Sequence, residues 1–240
     1  MIAIDVQNIT KRYKDVTAVN GLNLQIEEGE LFSLLGVNGA GKTTTIKMLC
    51  GLSQPTSGDA LLLGNSILTQ LAKVKQVIAV SPQETAVAHN LTVEENLHLM
   101  AGVHGFDKAQ TQAKLQQLSQ LFHFESVLKK HAGKLSGGWQ RRLSIAMALI
   151  CEPKILFLDE PTLGLDVIAR SDLWEIIRSL KGKITIVLTT HYMEEAEALS
   201  DKIGIMKNGT LLCVGSAEEM KRKAGTDKFE EAFIRIVKGV

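Results

Sequence analysis

The segment Gly36-Val37-Asn38-Gly39-Ala40-Gly41-Lys42-Thr43 places three glycines, a lysine and a hydroxyl within one short turn. Glycines at that spacing let successive backbone N–H groups curl around a phosphate. The lysine adds a mobile cation, and the threonine hydroxyl is a ligand suited to Mg²⁺. A second acidic element fits the first: Ile155-Leu156-Phe157-Leu158-Asp159-Glu160 is an apolar run ending in two carboxylates. Beside a phosphate loop, Asp159 is placed to hold Mg²⁺ through water, and Glu160 to polarise an attacking water as a general base. His191 closes another apolar run at Thr189-Thr190-His191, and Gln83 follows Val77–Val80 in the same way. A third device is Leu135-Ser136-Gly137-Gly138-Trp139-Gln140-Arg141-Arg142. Its two glycines permit close backbone approach, and the helix they open aims unpaired N–H groups at whatever lies there. One chain with two half-sites for phosphate suggests two chains sharing a ligand.

Hydrophobic periodicity indicates the elements that hold these residues. Ile2–Ile9 and Leu22–Ile26 alternate apolar and polar residues, as in half-exposed antiparallel strands. Leu31–Leu35 is nearly continuous in apolar residues, which predicts a strand buried on both faces and leading into the phosphate loop. A helix from about Lys42 to Leu52 follows, then strand candidates at Leu61–Leu63 and Val77–Val80. From about Leu91 to Ile150 the pattern predicts helices only. Thr92-Val93-Glu94-Glu95 is a capping box, Asp107 caps a helix over Gln110–Phe122, and the helix after Gly133 carries Leu143, Ala146, Met147 and Ile150 on one face. Alternation then returns: Ile155–Leu158 strand, Val167–Leu180 helix, Ile184–Leu188 strand, Met193–Leu199 helix. A hairpin turns at Asn208-Gly209, and a terminal helix spans Lys228–Lys238 with Phe229, Phe233 and Ile236 on one face. Strand–helix alternation predicts a mostly parallel sheet with helices on both sides and a helical subdomain inserted in it. The strand before His191 is then expected to run parallel to those before Lys42 and Asp159, bringing all three ends to one crevice.

The 240 residues suffice for one large core or two intimate subdomains, and a 45% apolar, 22% charged composition is that of a soluble globular protein. A formal net charge of +1 lacks the large basic excess of a dedicated nucleic-acid binder. Cys50, Cys151 and Cys213 are odd in number and far apart, which reads as small core residues in a reducing compartment. No apolar run approaches the roughly 18 residues of a membrane span, and Met1–Asp5 does not resemble a secretory signal. The expectation is a soluble cytoplasmic protein, held at a membrane only through a partner.

Taken together and in order, these residues resemble the ATP-binding cassette (ABC) family of ATPases over essentially the whole chain. Gly36, Asn38, Gly39, Ala40, Gly41, Lys42, Thr43 and Thr44 match the Walker A loop, and Gln83 the Q-loop residue. Ser136, Gly137 and Gly138 match the signature motif, Asp159 and Glu160 the end of Walker B, Asp166 the D-loop and His191 the switch histidine. Tyr13 lies at the usual distance before Walker A for the aromatic that stacks on adenine, which needs only a π face. The resemblance implies a phosphate-loop (RecA-like) α/β core, an N-terminal antiparallel β subdomain and the inserted helical subdomain, all within one 1–240 domain. It implies ATP and Mg²⁺ as ligands, with Thr43, Gln83 and Asp159 around the metal and Glu160, His191, Lys42 and Gln83 as the catalytic set. It further implies a head-to-tail pair, a homodimer or paired cassettes, in which ATP on Lys42 of one chain is capped by Ser136 and Gly138 of the other. Three departures stand out: Trp139 where Gln is usual, Leu163 where a small or polar residue is common, and Val167 where Pro is common. Trp139 is expected to tune the seam between chains.

Within that family the first reading is the energising subunit of a transporter, at the inner face of the cell membrane beside an integral membrane partner. The stretch Glu84–His89 resembles the surface that receives such a partner. Thr190–Glu197 and Phe229-Glu230-Glu231-Ala232-Phe233 look most like the export branch linked to drugs, antibiotics or lipids. A soluble ABC ATPase working on nucleic acid or the ribosome is the alternative; the single cassette and the near-neutral charge favour the first, so no nucleic-acid partner is expected. A phosphate-loop kinase outside the family would leave Ser136–Gly138 and His191 without a task.

Overall fold

A computed structural model describes residues 1–239. Two sheets stack through a shared core. The first is four-stranded and antiparallel, in the order β2-β1-β4-β5. It is formed by β1 (Ile2–Tyr13), β2 (Val16–Glu27), β4 (Ser57–Leu62) and β5 (Asn65–Ser66). The second is six-stranded, in the order β10-β9-β3-β8-β7-β6. Its members are β3 (Leu31–Leu35), β6 (Ile78–Ser81), β7 (Ile155–Asp159), β8 (Thr185–Thr190), β9 (Lys202–Lys207) and β10 (Thr210–Gly215). All its pairings are parallel except the β9–β10 hairpin. That hairpin turns at Asn208 and Gly209, both in the left-handed region (φ 48° and 78°) that such a turn demands.

The large sheet is covered on both faces, which explains its unbroken apolar strands. Ile155 and Phe157 of β7 point into one core with α1 (Lys42–Leu49) and the small sheet. Leu156 and Leu158 point the opposite way, into a core built on α5 (Gly137–Leu149) and α6 (Val167–Leu180). Each such side chain, fully buried, stabilises the fold by roughly 1.5–3 kcal/mol. Between β6 and β7 the described backbone forms α3 (Val93–Val103), α4 (Lys108–Phe122), a 3₁₀ turn (Ala132–Lys134) and α5, with one isolated bridge between Thr92 and His131. Thr92 and Asp107 both form complete capping boxes. The remaining helices are α2 (Leu71–Val77), α7 (Met193–Leu199), α8 (Ala217–Ala224) and α9 (Phe229–Lys238).

The α/β class, parallel sheet and antiparallel β layer match the sequence expectation, with longer strands than the periodicity indicates. β1 and β2 run past Ile9 and begin before Leu22, because register shifts along their pairing interrupt the simple alternation. α2 and α8 are absent from the pattern reading. α2 buries only Val74 and α8 only Met220, too few apolar positions to write a helical period. Among the described residues, no helix is long and apolar enough to cross a membrane.

Candidate active site

The parallel strands deliver their C-terminal ends to one edge of the sheet. β3 hands the chain to the glycine loop, β7 ends in Asp159-Glu160, β8 in Thr190-His191, and β6 leads to Gln83. A cleft of about 550 Å³ opens there, lined by Tyr13, Asn38–Thr44, Gln83, Glu160, Leu163 and His191 among others. The loop enters α1 through Gly41 at φ 106°, a conformation closed to side chains, and an added Cβ there would also meet Met206 at 2.7 Å.

Lys42 curls back over its own loop. Its Nζ donates to the carbonyls of Gly36 (2.7 Å) and Val37 (3.3 Å) and lies 3.4 Å from Glu160 Oε1. The other Glu160 oxygen, Oε2, lies 2.9 Å from His191 Nδ1. One buried carboxylate is thus gripped between a lysine and an imidazole. Glu160 itself sits at φ 47°, a left-handed conformation that costs a non-glycine residue about 1–3 kcal/mol and clusters at functional sites. Its N–H is held by the Thr189 hydroxyl and the Thr189 carbonyl, each at 3.1 Å. Asp159 accepts from Thr43 Oγ1 (3.1 Å) and from Thr189 Oγ1 (2.5 Å). Thr43 lines the cleft while Asp159 is buried beside it, so the two present adjacent hard oxygens where the glycine loop meets β7. That donor set suits Mg²⁺, which takes one or two protein oxygens and completes its shell with waters and phosphates. Among the described residues no cluster of three or more His, Cys, Asp or Glu forms an all-protein metal cage.

Tyr13 stands at the rim, half exposed, with its ring under Lys11 Nζ (4.9 Å to the centroid). Gln83 lines the cleft, and its backbone is pinned by a side chain of the helical layer. The buried Arg141 guanidinium donates to the carbonyls of Pro82 (2.6 Å) and Gln83 (2.5 Å). Arg141 lies on α5, so the helix opened by Ser136–Gly138 is tied directly to Gln83.

Ser136, Gly137, Gly138 and Asp166 do not line the cleft. Ser136 and Gly137 are exposed, and the Ser136 side chain makes no capping bond to α5, leaving its hydroxyl uncommitted. Asp166 caps α6, its Oδ1 accepting from Ala169 N (2.9 Å). Trp139 does not face outward with the turn before it. It packs against Phe124 (ring centroids 6.1 Å) and under Arg142 (4.8 Å), inside the helical layer. The donor role at the turn passes to Gln140, whose amide holds the carbonyls of Ala132 and Leu135.

The sequence reading names Thr189, Arg141 and Glu195 only within longer strings and assigns none of them a role of its own. For Glu195 a signal exists: it precedes Leu199 by four residues and adjoins Ala196, so helical spacing alone puts it on the buried face of α7.

The sequence model of the ABC transporter family matches residues 19–163. The chain is 40% identical over 230 residues to "Nod factor export ATP-binding protein I" of Burkholderia orbicola (strain AU 1054), covering 95% of this chain and 75% of that one. It is 38% identical over 240 residues to "Probable multidrug ABC transporter ATP-binding protein YbhF" of Escherichia coli (strain K12), covering 98% of this chain. It spans only 41% of that relative, and 25% of "ABC transporter A family member 11" of Arabidopsis thaliana. Among solved structures, "Structure of ATP binding subunit of ABC transporter" superimposes with a TM-score of 0.87 at 28% identity, covering 98% of this chain and 99% of that one. The dimeric post-hydrolysis cassette MJ0796 bound to ADP and Pi does so with 0.79 at 25%, covering 89% and 98%. A glycine loop, paired acids and a histidine meeting at one sheet edge, within a chain whose residues 19–163 match the family's sequence model, place this protein in the ABC transporter family.

Proposed function

We propose that the chain, as one 1–240 cassette carrying a helical insertion over about 91–150, hydrolyses ATP to drive transport through a separate membrane-embedded partner. The observation that carries the catalytic part is the Glu160 carboxylate, held between Lys42 (3.4 Å) and His191 (2.9 Å) at the mouth of the glycine loop. On nucleotide binding, the loop N–H groups from Asn38 to Thr44 and the Lys42 ammonium take the phosphate oxygens. Lys42 thereby leaves Glu160, and Oε1 becomes free to accept a proton from the attacking water. His191, hydrogen-bonded to Oε2, fixes the carboxylate's orientation and is within reach of the terminal phosphate together with Gln83. Thr43 and Asp159 would hold Mg²⁺; when bound, it would neutralise charge developing on the transferred phosphoryl oxygens. The Tyr13 face would support adenine.

The chain's own Ser136–Gly138 turn does not line the cleft, and Ser136 keeps an uncommitted hydroxyl. These features support completion of each site by the turn of a second cassette placed head to tail, with Asp166 at the seam. Two of the relatives carry "export" or "multidrug" in their names, which supports export as the direction and a position on the inner face of the membrane beside the partner. Glu160→Gln tests the assignment: it is expected to bind ATP normally, lose turnover, and accumulate as an ATP-bound dimer in size-exclusion chromatography. Near-normal turnover in that variant would remove Glu160 from the role of base.

A further inference from the structure

Glu195 is the one fully buried carboxylate outside the cleft among the described residues. It sits one helical turn beyond His191, at the start of α7. Its Oε1 accepts two hydrogen bonds, from the Thr162 hydroxyl (2.8 Å) and from the Trp174 indole N–H (3.1 Å). Thr162 is itself fully buried and lies two residues after Glu160, within the turn in which Leu163 N–H donates to Glu160 O (3.2 Å) and Leu165 N–H to Thr162 O (3.1 Å). Trp174 belongs to α6, the helix that Asp166 caps. A single oxygen therefore joins three segments: the chain leaving His191, the chain leaving Glu160, and the helix that follows it.

A buried charge is costly, and burial pushes the Glu195 carboxyl above the usual carboxylate range. The Thr190 and Thr162 hydroxyls and the Trp174 indole N–H offset part of that cost, and the nearby Arg170 guanidinium, stacked over Tyr192 at 4.6 Å, adds a smaller share. Glu195 Oε2 and Arg170 Nε are nonetheless buried without hydrogen-bond partners among the described residues. An acid that only filled space would be replaced at less cost by an apolar residue. What the acid supplies here is the junction at Oε1.

Resting on the ATPase reading, we infer that Glu195 is a positioning residue for hydrolysis, forming with Thr162 a second rung parallel to the His191–Glu160 contact. The two rungs, 2.9 Å at His191–Glu160 and 2.8 Å at Thr162–Glu195, fix two loops against each other at two points. With the Glu160 N–H anchored on Thr189, the His191 contact orients the carboxylate and the Thr162–Glu195 rung holds the turn that follows it; without that rung the turn is held only at its start. Misplacement of a catalytic group by about 1 Å costs on the order of 10²-fold in rate. The nucleotide loop lies on β3 and α1 and makes none of these contacts, so ATP affinity is independent of the rung.

The test is steady-state ATP hydrolysis by the purified chain, with kcat and KM measured separately. Glu195→Ala is expected to lower kcat by about tenfold or more while KM stays within about twofold. Glu195→Gln keeps a carbonyl oxygen for both donors and is expected to recover most of the lost rate. Thr162→Val, of near-equal volume, breaks the rung from the other side; it carries the same test if Glu195→Ala does not fold. Combined with Glu195→Ala it adds no further loss. A kcat within twofold of wild type in both Glu195→Ala and Thr162→Val overturns the inference, as does a Gln variant no better than Ala, or a parallel rise in KM. Absence of hydrolysis in wild type, or its persistence in Lys42→Ala, would instead overturn the ATPase reading itself.

Discussion

Removing Lys42 should weaken the fold as well as the chemistry, and by a calculable amount. Its side chain is 5% exposed and that of Glu160 9%, so the pair is screened little by solvent. Lys42→Ala leaves Glu160 buried beside His191 alone, and strips the Gly36 and Val37 carbonyls of their shared donor. Breaking a buried pair from one side costs about 3–5 kcal/mol. The His191 contact and the open cleft put this case at the lower end, about 3 kcal/mol. In a chain of this size each kcal/mol shifts Tm by about 2–4 °C, giving a fall of about 6–12 °C. Glu160→Gln in the Lys42→Ala background removes the stranded charge and should return part of that loss, whereas alone it lowers stability by leaving Lys42 without its counter-ion. The assay is a double-mutant cycle of thermal and urea unfolding on the nucleotide-free chain, repeated with ATP. ATP at about 100 times its Kd should add about 2.7 kcal/mol to wild type and nothing measurable to Lys42→Ala. A Lys42→Ala chain melting within 2 °C of wild type, or an effect of Glu160→Gln that is equal in both backgrounds, would refute the coupling.

Gly36→Ala drives a methyl group into the Met206 carbonyl oxygen and against Ala40, so it should cost about 1–3 kcal/mol and weaken ATP binding, read by denaturant unfolding and nucleotide titration. Gly102→Ala, in a helical position with open space around it, should instead leave stability equal or raise it by up to about 1 kcal/mol in the same unfolding assay. Thr92→Ala removes the capping box of α3 and should lower the unfolding free energy by about 1 kcal/mol without changing the ATP KM.

Much of the site was legible because it is written in local terms. The glycine loop, the acids after β7 and the histidine after β8 are short strings whose chemistry depends on neighbours in sequence, and parallel strands bring their ends together by topology alone. The hairpin at Asn208-Gly209 and the caps at Thr92 and Asp107 were legible for the same reason. What stayed hidden depends on which way a side chain turns. Trp139 lies two residues after the exposed Gly137, yet helix rotation carries its ring inward onto Phe124 and Arg142. Within the proposed head-to-tail pair, Trp139 would act on the seam by packing behind the turn. Glu195 looks like Glu194 and Glu197 beside it, and only burial separates them. α8 was missed although Ser216 and Glu219 form a complete capping box; its polar composition hid the helix.

The central claim is that Lys42 of one chain and Ser136 of another act on the same ATP. Mixing the inactive Lys42→Ala and Ser136→Arg chains tests it directly. In a head-to-tail pair of the two, one site has an intact Lys42 facing an intact Ser136, and the other has neither. The account predicts that hydrolysis reappears on mixing, rising toward about a quarter of the wild-type rate when half the pairs are mixed and one site in each works. A mixture that stays at the sum of its two components would contradict it.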